Sequence, residues 1–597
     1  MEAVVEKPWL KHYEEGVPAT IDYPDTVMPK ILADTARKFP DQVATIFKGG
    51  RLTYRELNEL VDKFTAGLQK LGVKKGDRVA IHLPNCPQFL ISYYAILRAG
   101  GIVVPCNPMY VAREMEHQLN DSGAEVIITL SAFYPLIKQI RDETKLRHVI
   151  VAKIKTYFPG LLKLLFTLLK EKKDGHVVDI SGDANTYWFQ DVLDSAPAKP
   201  APVDLAWDDT AVLMYTGGTT GISKGAQLTH KNILVNAVQC KHWLKTAETA
   251  ETILTTLPLF HSYGMTTCMN HGVYTASTLL LVPNPRDLKD VLETINKYHP
   301  TIYPGVPAMY VAINNDPGVL AGKYDVRSIR ACVSGAAGLP VEVQRKFEEI
   351  TGGKLVEGYG LSEASPVTHA NPIQGENRVG TIGLPWPDTE AVIMDLDTGE
   401  KILPPGEVGE LCIRGPQVMK GYYKKPEETK KILSEDGWLN TGDLGILTHN
   451  GELKIIGRVK DTIVLLGGEN IEPDPIESAI LESDYIEQAI VLGQDQKFLA
   501  ALVIPNMDEV EKYATENDIS YIDRESLVDI PEINELIYDE IHNRVSPQNG
   551  FKPFERIYRI KLLAKPFQVG RELTQTLKMK RNVINELYAK EIKELFK

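Results

Sequence analysis

The first clear element along the chain is helical. Thr53 and Glu56 stand three residues apart as a T-x-x-E capping box, and Leu57, Leu60, Val61, Phe64, Leu68 and Leu71 then recur on one helical face up to Gly72. RVAIHLP (78–84) has the continuity of a strand, QFLISYYAILRAG (88–100) that of a buried helix, and IVVP (102–105) that of another strand. Strand, helix and strand in that order predict a βαβ unit in a parallel sheet covered on both faces. The same rhythm returns over 278–283, 287–298 and 301–303. Pro and Ala crowd into SAPAKPAPVD (195–204), which reads as a surface connection between two parts of one large α/β domain. After about residue 375 the pattern changes to short strands separated by turns (GTIGLPWP, EAVIMDLDTGE, GELCIRG, GELKIIGR), which predict a compact β-rich module. Over 460–597, strands (QAIVLG, AALVIP) mix with charged helices and predict a separate, smaller α+β domain.

One segment departs from these patterns. In GLLKLLFTLLK (160–170), Leu161, Leu162, Leu164, Leu165, Leu168 and Leu169 fall at helical spacing. Lys163, Thr167 and Lys170 take the opposite face, and Lys172 and Lys173 follow. Such a helix either docks on the protein's own core, which is the expectation for a soluble enzyme, or lies in a membrane interface.

Composition narrows the classes. At 597 residues the chain exceeds what a single core supports, so at least two domains are expected. Hydrophobic residues at 43% and charged residues at 24% exclude wholesale disorder. With 66 Lys and Arg against 79 Asp and Glu, the formal charge of −13 argues against nucleic acid and leaves small molecules as partners. The six cysteines (Cys86, Cys106, Cys240, Cys268, Cys332 and Cys412) show no C-x-x-C spacing, so a reducing, cytoplasmic setting without disulfide or zinc is expected. The opening MEAVVEKPWLKHYEEG is charged and has no apolar core, so no signal peptide is expected. No run of about 18 apolar residues predicts a membrane span.

The sharpest chemical signal runs from Tyr215 through Thr216, Gly217, Gly218, Thr219, Thr220, Gly221, Ile222 and Ser223 to Lys224 and Gly225, directly after the apolar stretch TAVLMY (210–215). Glycines allow successive N–H groups to turn onto phosphate oxygens, hydroxyls add donors, and the lysine adds charge. Ser223 before the lysine and Gly225 after it exclude a Walker A loop.

TGGTTGISKGAQLTH (216–230) resembles the phosphate loop of the adenylate-forming superfamily, which includes acyl-CoA synthetases, luciferases and the adenylation domains of peptide synthetases. The resemblance continues in order through LPLFH (257–261), EGYGLSEASP (357–366), GWLNTGDLG (437–445), and GRVKD (457–461) with GGENIEP (467–473). LLVPNPRDL (280–288), NIEPDPIES and DQKFLAALVIPN are most similar to the fatty-acyl-CoA synthetase branch. The fold this implies is α/β. An N-terminal domain (1–459) would hold two α/β parallel-sheet subdomains and a β-barrel-like module (about 375–459), and a mobile α+β domain (460–597) would follow, hinged at Lys460.

The implied reaction activates a carboxylate with ATP and passes the acyl group to coenzyme A. Anionic phosphates and an anionic nucleophile must meet, so cations and oriented N–H groups are required. The resemblance assigns the β- and γ-phosphates to Thr216, Gly217, Gly218, Thr219, Thr220 and Lys224, and magnesium to Glu363, a hard oxygen ligand. Gly335 and Ala336 would border adenine and acyl groups, and Glu357, Gly358, Tyr359, Gly360 and Ser362 would line the nucleotide, with Tyr359 offering an aromatic face. Ser362 stands where the family usually has threonine and keeps the hydroxyl. Asp443 would accept from the ribose hydroxyls with Arg458 completing the clamp, and His261 would lie near the substrate carboxylate. The catalytic lysine is read as Lys578 in Thr574-Gln575-Thr576-Leu577-Lys578, where Gln575 replaces the proline of the fatty-acyl variant and Lys580 and Arg581 stand close by. Gly467, Gly468 and Glu469 would serve the coenzyme A step.

The expected function is a long-chain fatty acid–CoA ligase using ATP, magnesium and coenzyme A. Ligases for medium-chain or aryl carboxylates and acyl-carrier-protein acylating enzymes are the alternatives. A regulatory nucleotide-binding protein on an inactive scaffold is disfavoured by the presence of Lys224, Glu363, Asp443 and Arg458. Homo-oligomerisation and a peripheral contact of 160–170 with the inner face of a membrane are left open.

Overall fold

The computed structural model describes residues 6–216, 223–396, 398–399, 401–467, 469–573 and 579–597. The capping box forms as the sequence predicts: Glu56 N donates to Thr53 Oγ1 at 3.2 Å, and Thr53 N donates to the Glu56 carboxylate at 2.8 Å. These bonds start the helix Tyr54–Lys70. A good N-cap contributes about 1 kcal/mol. The larger stabilisation is burial of Leu57, Val61, Phe64 and Leu68, at roughly 1.5–3 kcal/mol per side chain. Phe64 stacks on Phe189 with centroids 4.2 Å apart.

The predicted βαβ unit lies inside an eight-stranded sheet. Its order is Gly421–Tyr422, Lys224–Thr229, Thr210–Thr216, Ile102–Pro105, Arg78–His82, Val126–Leu130, His148–Ala152 and Thr186–Trp188. The six strands from Thr210–Thr216 to Thr186–Trp188 are parallel; Lys224–Thr229 runs opposite to them, and Gly421–Tyr422 pairs antiparallel with Lys224–Thr229. All five residues of Val126–Leu130 are buried, as a strand covered on both faces requires. A second sheet joins Gly50–Thr53, Val43–Phe47, Thr278–Leu281 and Thr252–Thr255, then passes through bridges at Ile302 to Ala331–Ser334, Lys354–Gly360, Val367–Ala370 and Leu384–Pro385. The helix His230–Trp243 is tied to both ends of the strand Val367–Ala370. Its Asn236 side chain bonds both Val367 O and Val367 N, and Trp243 Nε1 donates to Asn371 O at 3.2 Å.

The β-rich stretch forms a four-stranded antiparallel sheet, Glu390–Met394, Val408–Arg414, Leu439–Leu447 and Leu453–Arg458. Beyond it, Ile486–Leu492, Leu499–Pro505 and Ile557–Leu562 pair under helices such as Pro473–Ile480 and Pro531–Arg544, around a core of Ile476, Val491, Val503 and Ile537. Arg581 is fastened there, donating to Glu477 at 2.6 Å and to Val491 O at 3.1 Å. All six cysteines are reduced and buried.

The helix Gly160–Leu169 corrects one expectation. It does not dock its leucines on the core: none of its residues is buried, and Leu161, Leu164, Leu165, Leu168 and Leu169 are 43–73% exposed. Only Phe166 and Leu162 turn partly inward, and Phe166 meets Phe158 edge-on at 5.5 Å. The helix rides on the surface in the long connection between His148–Ala152 and Thr186–Trp188.

Candidate active site

The glycine-rich loop hangs between two strands that pair antiparallel, with Thr216 opposite Lys224 and Tyr215 opposite Gly225. Gly217, Gly218, Thr219 and Thr220 lie outside the described residues, and so do Gly468 and Lys578. The pairing brings Thr216 and Lys224 together at the C-terminal end of a parallel strand, where ligands of open α/β sheets bind.

Lys224 Nζ donates to Glu428 at 2.8 Å and lies 5.0 Å from the centre of the Tyr422 ring. The Tyr422 hydroxyl donates to Glu363 Oε1 at 2.7 Å, and Met419 N donates to Glu363 O at 2.7 Å. Tyr422 thus joins the predicted phosphate lysine to the predicted magnesium carboxylate. Hydrogen bonds from Lys224 and then Lys431 pull the Glu428 carboxyl down to about 2, and burial together with Glu363 raises the Tyr422 hydroxyl. Tyr422 and Glu428 were not found by motif. They lie in GYYKKPEET, which has an acidic first helical turn but nothing linking it to a lysine some two hundred residues earlier.

A second group forms around Asp443. Tyr359, on Lys354–Gly360, donates its hydroxyl to Asp443 Oδ2, and Arg458 Nε donates to Asp443 Oδ1 at 2.7 Å. Asp443 and Arg458 face each other on paired strands, and Gly442, at φ +72°, sits beside Asp443 where the strand Leu439–Leu447 shifts register against its neighbour. Burial first, and the Asp443 carboxylate second, push the Tyr359 hydroxyl far above its ordinary range. Two residues earlier on the same strand, burial raises the Glu357 carboxyl to about 7 against a hydrogen bond from the Leu339 backbone.

His261, Gly335 and Ser362 also converge. Ser262 Oγ and Ser362 Oγ are 3.2 Å apart, and Tyr263 N approaches His261 Nδ1 at 3.4 Å. The Tyr263 hydroxyl donates to Val333 O at 2.6 Å, and a Cβ on Gly335 would sit 3.0 Å from the Tyr263 ring. Ala336 takes φ +70°, a turn next to that close approach. Gly360 is needed for space, because a Cβ there would come within 2.2 Å of Pro366 O. Gly358 is similarly crowded by Val333, at 2.6 Å.

The remaining candidates stand in other elements. Lys460 is exposed in a turn held by Asp461 N and Thr462 N, which both donate to Arg458 O. Gly467 and Glu469 lie in the loop between Ile463–Val464 and Asn470–Ile471, closed by Leu465 N donating to Glu469 O at 3.0 Å. Among the described residues no hydrogen bond joins them to Lys224, Glu363 or Asp443. Lys580 donates to Gly570 O at 3.2 Å.

No group of three or more His, Cys, Asp or Glu side chains poised to hold a metal occurs among the described residues. A cation at Glu363 would therefore take its other ligands from phosphate and water, and a single carboxylate suits magnesium, which keeps several waters and binds substrate phosphates.

Thr216 paired with Lys224, a lysine and carboxylate joined through Tyr422, and an Asp–Arg pair against Tyr359 occupy the positions that the adenylate-forming resemblance picks out. The chain belongs to the AMP-binding enzyme family, which matches residues 32–423, with the AMP-binding enzyme C-terminal domain matching 460–597. It is 44% identical to a long-chain-fatty-acid–CoA ligase of Bacillus subtilis over 82% of this chain and 86% of that relative. It is 36% identical to the Salmonella typhimurium protein of the same description, over 82% and 87%. Its fold is similar to that of the anthranilate CoA ligase AuaEII in complex with anthranoyl-AMP, with a TM-score of 0.76 at 22% identity, covering 95% of this chain and 97% of that one.

Proposed function

We propose that the protein is a long-chain fatty acid–CoA ligase. A fatty acid carboxylate oxygen bonds to the α-phosphorus of ATP as the bond to the β-phosphate breaks, releasing pyrophosphate. The coenzyme A sulfur then bonds to the acyl carbon as AMP leaves, and the thiol proton is lost. The observation that carries this reading is the 44% identity to the Bacillus subtilis ligase over 491 residues, 82% of this chain.

Within the reading, Thr216, Gly217, Gly218, Thr219, Thr220 and Lys224 hold the terminal phosphates, and Lys224 exchanges Glu428 for phosphate oxygens as ATP arrives. Glu363, oriented by the Tyr422 hydroxyl, holds magnesium, which supplies charge neutralisation between phosphates. Gly335, Ala336, Glu357, Gly358, Tyr359, Gly360 and Ser362 line the adenosine, Asp443 and Arg458 take the ribose, and His261 borders the carboxylate. Lys578 screens carboxylate from α-phosphate in the first step. Residues 460–597 then turn about Lys460 as a domain distinct from 1–459, bringing Gly467, Gly468 and Glu469 to the thiol channel. The protein works in the cytoplasm and meets the inner face of a membrane peripherally.

Pyrophosphate release across carboxylates of graded length, with and without coenzyme A, tests the proposal. Long-chain acids should give the highest kcat/KM, and their thioesters should accumulate only when coenzyme A is present. A preference for medium-chain or aryl acids, or acyl transfer to a carrier protein in place of coenzyme A, would overturn it.

A further inference from the structure

The helix Gly160–Leu169 spans ten residues, about 15 Å at 1.5 Å per residue. Leu161, Leu164, Leu165, Leu168 and Leu169 form one outward stripe along its three turns. The other face is fastened. Lys155 Nζ donates to Thr167 Oγ1 at 2.8 Å and to Glu171 at 2.5 Å, and Phe166 packs edge-on against Phe158 and His176. These contacts fix the rotation of the helix, so the leucines cannot fold back onto the core. An exposed apolar stripe of this kind marks an interaction site.

Charge identifies the occupant. The chain as a whole carries −13, yet residues 153–174 hold six lysines (Lys153, Lys155, Lys163, Lys170, Lys172 and Lys173) against only Glu171 and Asp174. Glu171 is already paired with Lys155. Lys163, Lys170, Lys172 and Lys173 are exposed, Lys163 and Lys170 on the side of the helix away from the leucines and Lys172 and Lys173 just past its end. A second copy docked on this face would bring two segments of the same positive sign together. Anionic lipid takes both components, with acyl chains receiving the leucines and headgroups the ammonium groups.

We infer that the helix Gly160–Leu169 and its flanking lysines form a docking surface for an anionic lipid bilayer. Its position suits the nearby chemistry. The helix follows the C-terminal end of His148–Ala152, the same sheet edge at which Thr210–Thr216 delivers the phosphate loop. Four strand spacings separate the two strands, about 19 Å at 4.8 Å each. The purpose of the contact, uptake of an acyl substrate from the bilayer, rests on the fatty acid–CoA ligase reading, whereas the docking itself does not.

Vesicle flotation of the full chain decides the inference. Wild type should float with vesicles of phosphatidylcholine and phosphatidylglycerol in equal parts, and far less with phosphatidylcholine alone or at raised salt. L164D/L165D/L168D should stay in the soluble fraction. K163E/K170E/K172E/K173E keeps the leucines and should lose roughly a hundredfold or more in partitioning, at about fivefold per lysine. Both variants should keep wild-type melting temperatures and wild-type thioester formation from detergent-dispersed acid. The lysine variant decides the matter should the leucine variant fail to fold. Flotation of either folded variant like wild type overturns the inference, as does failure of wild type to float. A wild-type dimer that the leucine substitutions dissociate overturns it too, by showing a second copy on that face. Loss of all thioester formation would refute the ligase reading while leaving the vesicle result standing.

Discussion

Replacing Asp443 by Asn separates bracing from binding in the Tyr359–Asp443–Arg458 group. Asn keeps the shape, but it has one acceptor oxygen where the carboxylate has two. Arg458 Nε only donates, so the Asn oxygen must face it, which turns the amide NH2 toward the Tyr359 hydroxyl, an oxygen able to accept. Both contacts survive in weaker form. The Arg458 side chain is 38% exposed, and water compensates part of the lost charge pairing, so the stability loss should be only about 1 kcal/mol. The nucleotide should suffer more. Two ribose hydroxyls lose an ionic acceptor, about 2–4 kcal/mol together, equivalent to roughly 30- to 1000-fold in ATP affinity. The assay is acid-dependent ATP–pyrophosphate exchange with ATP and with 2′-deoxy-ATP, alongside thermal melts. Wild type should favour ATP by roughly tenfold or more, and D443N should favour it little. A large drop in melting temperature with equal loss for both nucleotides would make Asp443 a structural brace and refute the ribose assignment.

Two further outcomes follow from the same site. Burial raises the Glu357 carboxyl from 4.5 to about 7, so the fold favours the protonated acid. The stability this contributes is complete below about pH 4.5 and is lost as pH rises through 7, a swing of about 3 kcal/mol. Glu357→Gln should therefore melt with a flatter pH profile and above wild type at pH 8, and parallel profiles for the two proteins would contradict the assignment. For the domain motion, Lys578→Ala should lose acyl-AMP formation yet still convert supplied acyl-AMP and coenzyme A to thioester. Lys460→Pro, with φ restricted, should adenylate but transfer slowly. Equal loss of both half-reactions in both variants would remove the alternation, and a Lys580→Ala phenotype in place of the Lys578→Ala one would shift the motif alignment by two residues.

Local signals were legible where one short stretch carried the information. Thr53 and Glu56 announce their helix because a capping box is complete within four residues. Gly360 and Asp443 sit in motifs whose order along the chain already points to one site. Tyr422 and Glu428 were invisible because their partners, Glu363 and Lys224, are distant in sequence and meet only through sheet pairing. The burial of Glu357 was equally hidden, since it depends on the turn 335–339 lying over it. The helix Gly160–Leu169 shows the limit most clearly. A leucine stripe has the same period whether it faces a core or solvent, and the deciding contacts, Lys155 with Thr167 and Glu171, are tertiary.

The six buried cysteines have a consequence for redox behaviour. Thiolate, not thiol, attacks disulfides, and burial raises Cys86, Cys268 and Cys412 to about 12 while moving Cys106, Cys240 and Cys332 further up. At neutral pH about one thiol in 10⁵ is ionised at a value of 12, and none of the six presents its sulfur to solvent. A protein with this arrangement can sit among small thiols and their oxidised forms without mixed-disulfide exchange. It also offers a silent background for labelling: a cysteine introduced at Leu164 would be the accessible thiol, and an environment-sensitive dye there would report on the leucine stripe alone.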